Sequence, residues 1–321
     1  MTVAAEMRKA VEVLGAAERL AITCHVGPDG DAVGSALALA HAARNAGKEA
    51  VVAVAGRIGI SEAYSFLDTS PMVPVAEFPA APEVMVVFDV GVPSRLGELA
   101  PHAGRAGTLV VVDHHPDPAE GFGHVRVIDP GAGAAAQLCA YLIRDLGWPI
   151  DEMVALCLLT GIITDTGRFQ YSSTDGAILR VAADLVDAGA RPDVIGQAVY
   201  ESAPVGYLKV ISAVLGRAVL DEEAGLVWSV LRAADLEEAG VAYEDADDLI
   251  DRIRVAREAG VAVLLKEIDR GFKVSLRSRG EADVGAVAAA EGGGGHHNAA
   301  GFTTADGAEA VIERIRAHLR G

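Results

Sequence analysis

The chain has 321 residues, 51% hydrophobic and 22% charged, enough to bury the cores of two ordinary domains and too apolar for a disordered polymer. A formal net charge of −18 opposes binding of a long polyanion such as duplex DNA, and no run of Lys and Arg builds a local basic groove. A small anionic substrate held at a local cationic site fits this balance better.

Residues 1–20 read as an amphipathic helix carrying Arg8, Lys9 and Arg19, without the apolar core of a signal peptide. Gly, Asp or His interrupts every apolar stretch well before membrane-spanning length, so a soluble, cytoplasmic protein with no membrane partner is expected. Cys24, Cys139 and Cys157 sit singly in apolar runs and read as small buried hydrophobes. Short apolar runs at 20–25, 49–55, 84–89 and 108–113 predict strands, and helical patterns follow at 32–45, 61–67 and 94–99. Helices are predicted again at 134–146, 151–163 and 175–187. Near-continuous Val, Ile and Leu runs separated by helices imply an α/β fold, with a parallel sheet covered by helices on both faces.

The pattern turns helical without a clear strand across 191–215 and then restarts as a smaller α/β domain over 216–321, leaving 1–190 as the first domain. In the second domain a strand is predicted at 226–231, a helix at 245–257, an antiparallel pair at 261–268 and 272–277, and a last helix at 308–319. A helix and four consecutive glycines at 292–295 precede that last helix.

Chemistry concentrates where the first domain's strands end. One run leads into His25, Asp29 and Asp31, a second ends at Asp89, and a third at Asp113, His114 and His115. The helix over 151–163 runs out into Thr164, Asp165, Thr166 and Gly167. The carboxyl ends of parallel strands line one crevice, so residues distant in sequence are expected to converge there. So many carboxylates without a cation resist joint ionisation. No Lys or Arg lies within these motifs before Arg168, which makes divalent metal ions the natural counter-charge. A mixed His and Asp set suits Mn²⁺, with Fe²⁺, Co²⁺ or Mg²⁺ as alternatives. Six or seven ligands fit two ions roughly 3.5–4 Å apart, bridged by one carboxylate and able to neutralise a phosphoryl group under in-line attack. Each motif also has a plain structural reading. Asp29 and Asp31 can cap a helix, Asp89 and Asp165 can be turn residues, and His115 can be a solvated loop residue.

In combination the motifs resemble those of the DHH–DHHA1 phosphoesterases, which include RecJ-type exonucleases, nanoRNases active on 3′-phosphoadenosine 5′-phosphate, and cyclic-di-AMP phosphodiesterases. His25-x-x-x-Asp29-x-Asp31-x-x-Gly34-Ser35 matches the first motif, Asp89 the second, Asp113-His114-His115 the third and Thr164-Asp165-Thr166-Gly167 the fourth. Arg277-Ser278, the glycines Gly292, Gly293, Gly294 and Gly295 with His296, and Asn298-Ala299-Ala300-Gly301 match the C-terminal signature, so the resemblance spans nearly the whole chain. His297 departs from it, since relatives often carry Lys there. The resemblance implies a DHH domain, a helical linker and a DHHA1 substrate-binding domain. It implies one metal on His25, Asp29 and Asp89 and another on Asp31, Asp89, His114 and Asp165. Asp113 then orients a neighbour, and His115 contacts phosphate or the leaving oxygen. Arg277, Ser278, Gly293, Gly294, Gly295 and His296 hold substrate, the glycines serving either as an anion nest or as a linker.

The implied activity is hydrolysis of short oligoribonucleotides, pApA or cyclic di-AMP to 5′-mononucleotides, or of 3′-phosphoadenosine 5′-phosphate. A homodimer is compatible with the sequence, which does not fix the oligomeric state. The rivals are an inorganic pyrophosphatase-like hydrolase and a non-catalytic nucleotide sensor. Tyr171 is expected to pack rather than stack on a base, and His41, His102, His124 and His318 read as surface groups.

Overall fold

The structure is a computed structural model that describes residues 2–56, 60–116, 121–246 and 248–320. The chain divides into two compact units, Met1–Ser202 and Ala203–Gly321. In chain order the first holds α1 (Val3–Ala16), β1 (Arg19–Cys24), α2 (Gly30–Asn45), β2 (Glu49–Ala53), β3 (Val84–Phe88), the short α3 (Ala100–Ala103), β4 (Thr108–Asp113) and β5 (Val125–Ile128). Then come α4 (Ala135–Asp145), α5 (Glu152–Asp165), α6 (Gly176–Asp187) and α7 (Pro192–Tyr200).

All strand pairs in this unit are parallel, in the order β2-β1-β3-β4-β5. Parallel strands are buried on both faces, which accounts for the uninterrupted apolar runs. Alternate residues feed two cores. Leu20, Ile22, Val86, Phe88, Val110 and Val112 pack under the long helices, whereas Ala21, Met85, Val87 and Val111 face Phe78, Leu96, Leu99 and Ala103. The covering is unequal, because the second face is closed by α3 and the 3-10 turn Pro93–Leu99 rather than by full helices. The helix expected at 61–67 is likewise only a 3-10 turn, Glu62–Tyr64.

From β1 the chain crosses to β2 on one side, and β3, β4 and β5 build outward on the other. The order therefore reverses between β1 and β3, and their carboxyl ends form the crevice where open α/β sheets bind ligands. Helix α2 lies deep against this sheet, with every residue from Gly30 to Ala43 buried. It approaches α5 closely because Gly34 has no side chain; a Cβ there would stand 2.4 Å from the Cys157 carbonyl oxygen.

The second unit contains α8 (Gly206–Gly216), β6 (Val219–Asp221), β7 (Leu226–Leu231), α9 (Ala233–Ala239), α10 (Leu249–Ile253), β8 (Val261–Glu267) and β9 (Phe272–Ser278). It continues with α11 (Val284–Ala290), β10 (Gly294–His296), β11 (Ala299–Thr304) and α12 (Ala308–Arg320). Its sheet runs β10-β11-β9-β8-β7-β6, with β7 and β8 parallel and the other pairs antiparallel. Helices α8, α9 and α10 pack on one face through Val210, Val214, Leu236 and Ile250, and α11 and α12 on the other through Val284, Val287, Val311 and Ile315. The helix expected over 245–257 is broken into a 3-10 turn, Glu244–Ala246, and α10; Asp247 of that acidic run lies outside the described residues. The segment expected to be a linker holds α7, which belongs to the first unit, and α8, which belongs to the second. No helix among the described residues is long and apolar enough to cross a membrane.

Two substitutions test this packing. Gly34→Ala forces α2 and α5 apart and should lower unfolding free energy by about 1–3 kcal/mol in denaturant titration. On edge strand β5, Glu6 of α1 accepts the Arg126 N–H at 2.9 Å while pairing with Lys9 at 2.8 Å. The Lys9 ammonium and then that N–H hold the Glu6 carboxyl below its ordinary value, against the opposing effect of burial. The stabilisation is therefore present above the unfolded-state carboxyl range and is lost as pH falls through the depressed one. Glu6→Ala should cost about 1–3 kcal/mol at pH 7 and progressively less in acid, read from thermal midpoints across pH.

Candidate active site

The crevice gathers the first unit's predicted residues from five elements, β1, α2, β3, β4 and α5. His25 follows β1 and Asp29 caps α2, where its Oδ1 accepts the N–H groups of Asp31 and Ala32 at 3.1 and 3.0 Å. The other Asp29 oxygen stands 3.8 Å from His25 Nε2, so the cap and the cluster each use one oxygen. Asp89, just past β3, has φ +58°, a left-handed conformation that costs a side-chain-bearing residue strain energy and that tertiary structure must impose. It presents Oδ2 to His25 Nε2 at 3.2 Å and Oδ1 to His114 Nε2 at 3.5 Å and His115 Nδ1 at 3.1 Å.

His114 Nε2 also lies 3.7 Å from Asp31 Oδ2 and 3.3 Å from Asp165 Oδ2 at the end of α5. Among the groups of ligating atoms lying within 4.8 Å of one another are His25–Asp29–Asp89 and Asp31–Asp89–His114. Asp89 is common to both, and Asp165 joins the second through His114. Asp113 at the end of β4 accepts from the backbone N–H and Nδ1 of His115 at 3.1 and 2.9 Å, which fixes that ring.

Asp31 is wholly buried, and its carboxylate accepts the N–H groups of Ala135 and Ala136 at 2.6 and 2.8 Å. These are the first turn of α4, whose own N-cap, Ala134, has no side chain able to do this. Asp31 thus caps a helix that begins 104 residues further along the chain. Asp31→Ala would strand these two buried donors and so disturb the fold as well as the cluster.

Electrostatics follow from burial and crowding. Desolvation, then the charges of Asp89 and Asp29, push Asp31 well above the usual carboxylate range. Burial also works against ionised Asp89, but His115 and His25 outweigh it and hold Asp89 well below that range. Burial depresses both imidazoles too, yet Asp29 and Asp89 raise His25 to about 9, and Asp113 and Asp89 raise His115 to about 11. Without a cation, protons occupy the centre of the cluster.

The donor set fits divalent ions. Carbonyl oxygens only accept, so Val26 at 3.1 Å from His25 Nδ1 and Ala132 at 3.3 Å from His114 Nδ1 place a proton on each Nδ1. Each ring, once neutral, would turn an Nε2 lone pair toward the carboxylates, the arrangement common to metal-binding histidines. Among the described residues, His25 Nε2 and Asp89 Oδ1 are buried and make no hydrogen bond.

In the second unit, the glycine run is part of a hairpin and not a linker. Gly294, Gly295 and His296 form the outermost strand β10, paired with β11. A Cβ on Gly293 would meet the Gly301 carbonyl at 2.1 Å, and one on Gly295, where φ is +142°, the Ala299 carbonyl at 2.5 Å. Arg277 pairs with Ala299 in the sheet, and buried Ser278 donates to Asn298 Oδ1 at 3.1 Å, so the Arg-Ser pair adjoins this hairpin. The Tyr171 ring lies against Gly167. His41, read as a surface group, is instead buried, with Nε2 bonded to the Asp68 carbonyl at 2.8 Å. Sequence reasoning missed the residue 129–137 stretch, whose Ala132, Ala135 and Ala136 act through backbone groups and carry no side-chain signal.

Both units resemble known proteins. Residues 19–162 match the DHH family N-terminal domain, and residues 225–321 the DHHA1 domain. A Thermus thermophilus protein named bifunctional oligoribonuclease and PAP phosphatase NrnA is 34% identical over 325 residues, covering 98% of this chain and 94% of that one. A Bacillus subtilis protein of the same name is 24% identical, covering 80% of each chain. The solved structure of an exopolyphosphatase-related protein from Bacteroides fragilis superposes with a TM-score of 0.89 at 24% identity, over 99% of this chain and 96% of that one, and shares the fold. The chain belongs to the DHH–DHHA1 family of phosphoesterases.

Proposed function

We propose that this protein is a divalent-metal phosphoesterase that hydrolyses short oligoribonucleotides to 5′-mononucleotides and removes the 3′-phosphate of 3′-phosphoadenosine 5′-phosphate. The observation that carries the reading is the pair of ligating sets sharing Asp89 at the point where the strand order reverses. Near-full-length similarity to a protein named for both activities supports it. His25, Asp29 and Asp89 would hold one ion, and Asp31, Asp89, His114 and Asp165 a second. Mn²⁺ suits this mixed nitrogen and oxygen set. When bound, the ions acidify water and offset the charge of the phosphoryl oxygens.

The protein's own groups supply the rest. His115, whose Nδ1 is held by Asp113 and Asp89, would donate a proton to a phosphoryl oxygen or to the departing oxygen. In the second unit, Arg277 would offer a planar fork to a terminal phosphate, Gly294, Gly295 and His296 backbone and imidazole N–H groups, and Gly293, whose own N–H bonds the Ala288 carbonyl at 2.8 Å, only a close backbone approach. The net charge of −18 favours small substrates over long strands.

Incubation with Mn²⁺ and pApA, cyclic di-AMP, 3′-phosphoadenosine 5′-phosphate or pyrophosphate tests the proposal. AMP should form from pApA and from 3′-phosphoadenosine 5′-phosphate. Asp165→Asn should lower the rate by more than about 100-fold with circular dichroism unchanged, since even outer partners of a metal are worth 10- to 100-fold. Asp165 is the better probe than Asp31, which also caps α4. Cleavage of pyrophosphate alone would replace the proposal with the pyrophosphatase reading, and binding without turnover with the sensor reading.

Metal binding must displace the proton that His25 holds to about 9 in the metal-free protein. Apparent Mn²⁺ affinity should therefore rise with pH from 6 toward that value. Calorimetry at pH 7 in two buffers of different ionisation enthalpy should show proton release, and a pH-independent affinity would contradict this.

A further inference from the structure

The stretch between β5 and α4 contributes no side chain to the cluster, yet it touches two of its members. The Ala132 carbonyl accepts from His114 Nδ1 at 3.3 Å, and the N–H groups of Ala135 and Ala136 reach Asp31. One short piece of backbone therefore orients an imidazole from the end of β4 and a carboxylate from α2.

The stretch is itself held at both ends. Asp129 Oδ1 accepts the Gly131 N–H at 3.0 Å, and the Asp129 carbonyl accepts the Ala132 N–H at 3.0 Å. On the other side Gln137, only 5% exposed in the first turn of α4, accepts the Gly133 N–H on Oε1 at 2.8 Å. Its Nε2 donates to the Tyr141 hydroxyl at 3.0 Å, which fixes the orientation of the amide. Gly133 is wedged where a Cβ would meet Ile178 Cδ1 at 2.6 Å and the Ser173 carbonyl at 2.9 Å, so the loop has one way to sit. Among the described residues, Gln137 is the one side chain whose hydrogen bond ties α4 to the peptide next to Ala132.

We propose that Gln137 is a positioning residue for the metal centre: through Gly133 it sets the Ala132 carbonyl, which keeps the proton of His114 on Nδ1 and its Nε2 turned to Asp89 and Asp165. Outer partners of metal-binding imidazoles act in this way, by fixing tautomer and ring orientation. The inference rests on reading the cluster as a metal centre, and its test separates the two.

Three full-chain variants are compared with the parent protein. Gln137→Leu removes acceptor and donor at similar volume, Gln137→Glu keeps the acceptor, and Tyr141→Phe removes only the far partner. Calorimetric Mn²⁺ affinity should fall about 10- to 100-fold in Gln137→Leu and stay within about threefold in the other two, with KM for pApA unchanged. In metal-free protein, ¹⁵N spectra should show the Nδ1–H tautomer of His114 in the parent and a mixture in Gln137→Leu. Parent-like affinity and tautomer in Gln137→Leu overturn the proposal. So does an equal loss in the Leu and Glu variants that merely tracks a lower thermal midpoint. If the parent binds no divalent ion, the metal reading falls, and the tautomer comparison still decides whether Gln137 sets the His114 ring.

Discussion

Buried negative charge is the constraint on which the first unit turns. Asp31, Asp89 and Asp113 are each no more than 2% exposed, and Asp165 adjoins them through His114. Carboxylates at such spacing cannot all ionise in a low-dielectric site without counter-charge. The fold supplies part of it from its own donors: helix N–H groups for Asp29 and Asp31, and an imidazole for Asp113. What remains unmet falls on Asp31 and Asp165, whose carboxyls burial and neighbouring carboxylates push well above the usual range, while His115 and His25 hold Asp89 below it.

The architecture concentrates this charge through few features. Reversal of strand order between β1 and β3 opens a crevice between the two strands that lead to His25 and Asp89. The close approach of α2 and α5 at Gly34 sets Asp31 and Asp165 around His114. Asp29 and Asp31 serve as helix caps and as members of the cluster at once. Stability and chemistry are therefore coupled at these positions, and loss of the carboxylate of Asp31 acts on both.

The second unit solves a different problem, the presentation of backbone donors. A strand made of Gly294, Gly295 and His296 has poor intrinsic β-propensity and exists because β11 pairs with it. Its glycines allow carbonyl oxygens of β11 to come closer than any Cβ would permit.

Much of this was legible from the residues alone. Apolar runs bounded by Gly, Asp and His marked β1, β3 and β4 because a strand buried on both faces has no polar position to spare. The motif residues His25, Asp29, Asp31, Asp89, His114 and Asp165 stood out because ionisable groups at strand and helix ends are conspicuous against that background. Short or weakly patterned elements were not legible: β5, with four residues, and β10, rich in glycine, gain their identity from a partner strand. Nor could local sequence reveal that Asp31 caps α4, or that Ala132 and Gln137 set the His114 ring, since the bonds to His114 and Asp31 span 18 and 104 residues and the local Gln137–Gly133 bond gains its meaning only through them. The amino-acid sequence determined which chemical groups are available and the period with which they are buried. Only tertiary structure decided which donor meets which acceptor, because that depends on packing between segments that carry no memory of one another along the chain.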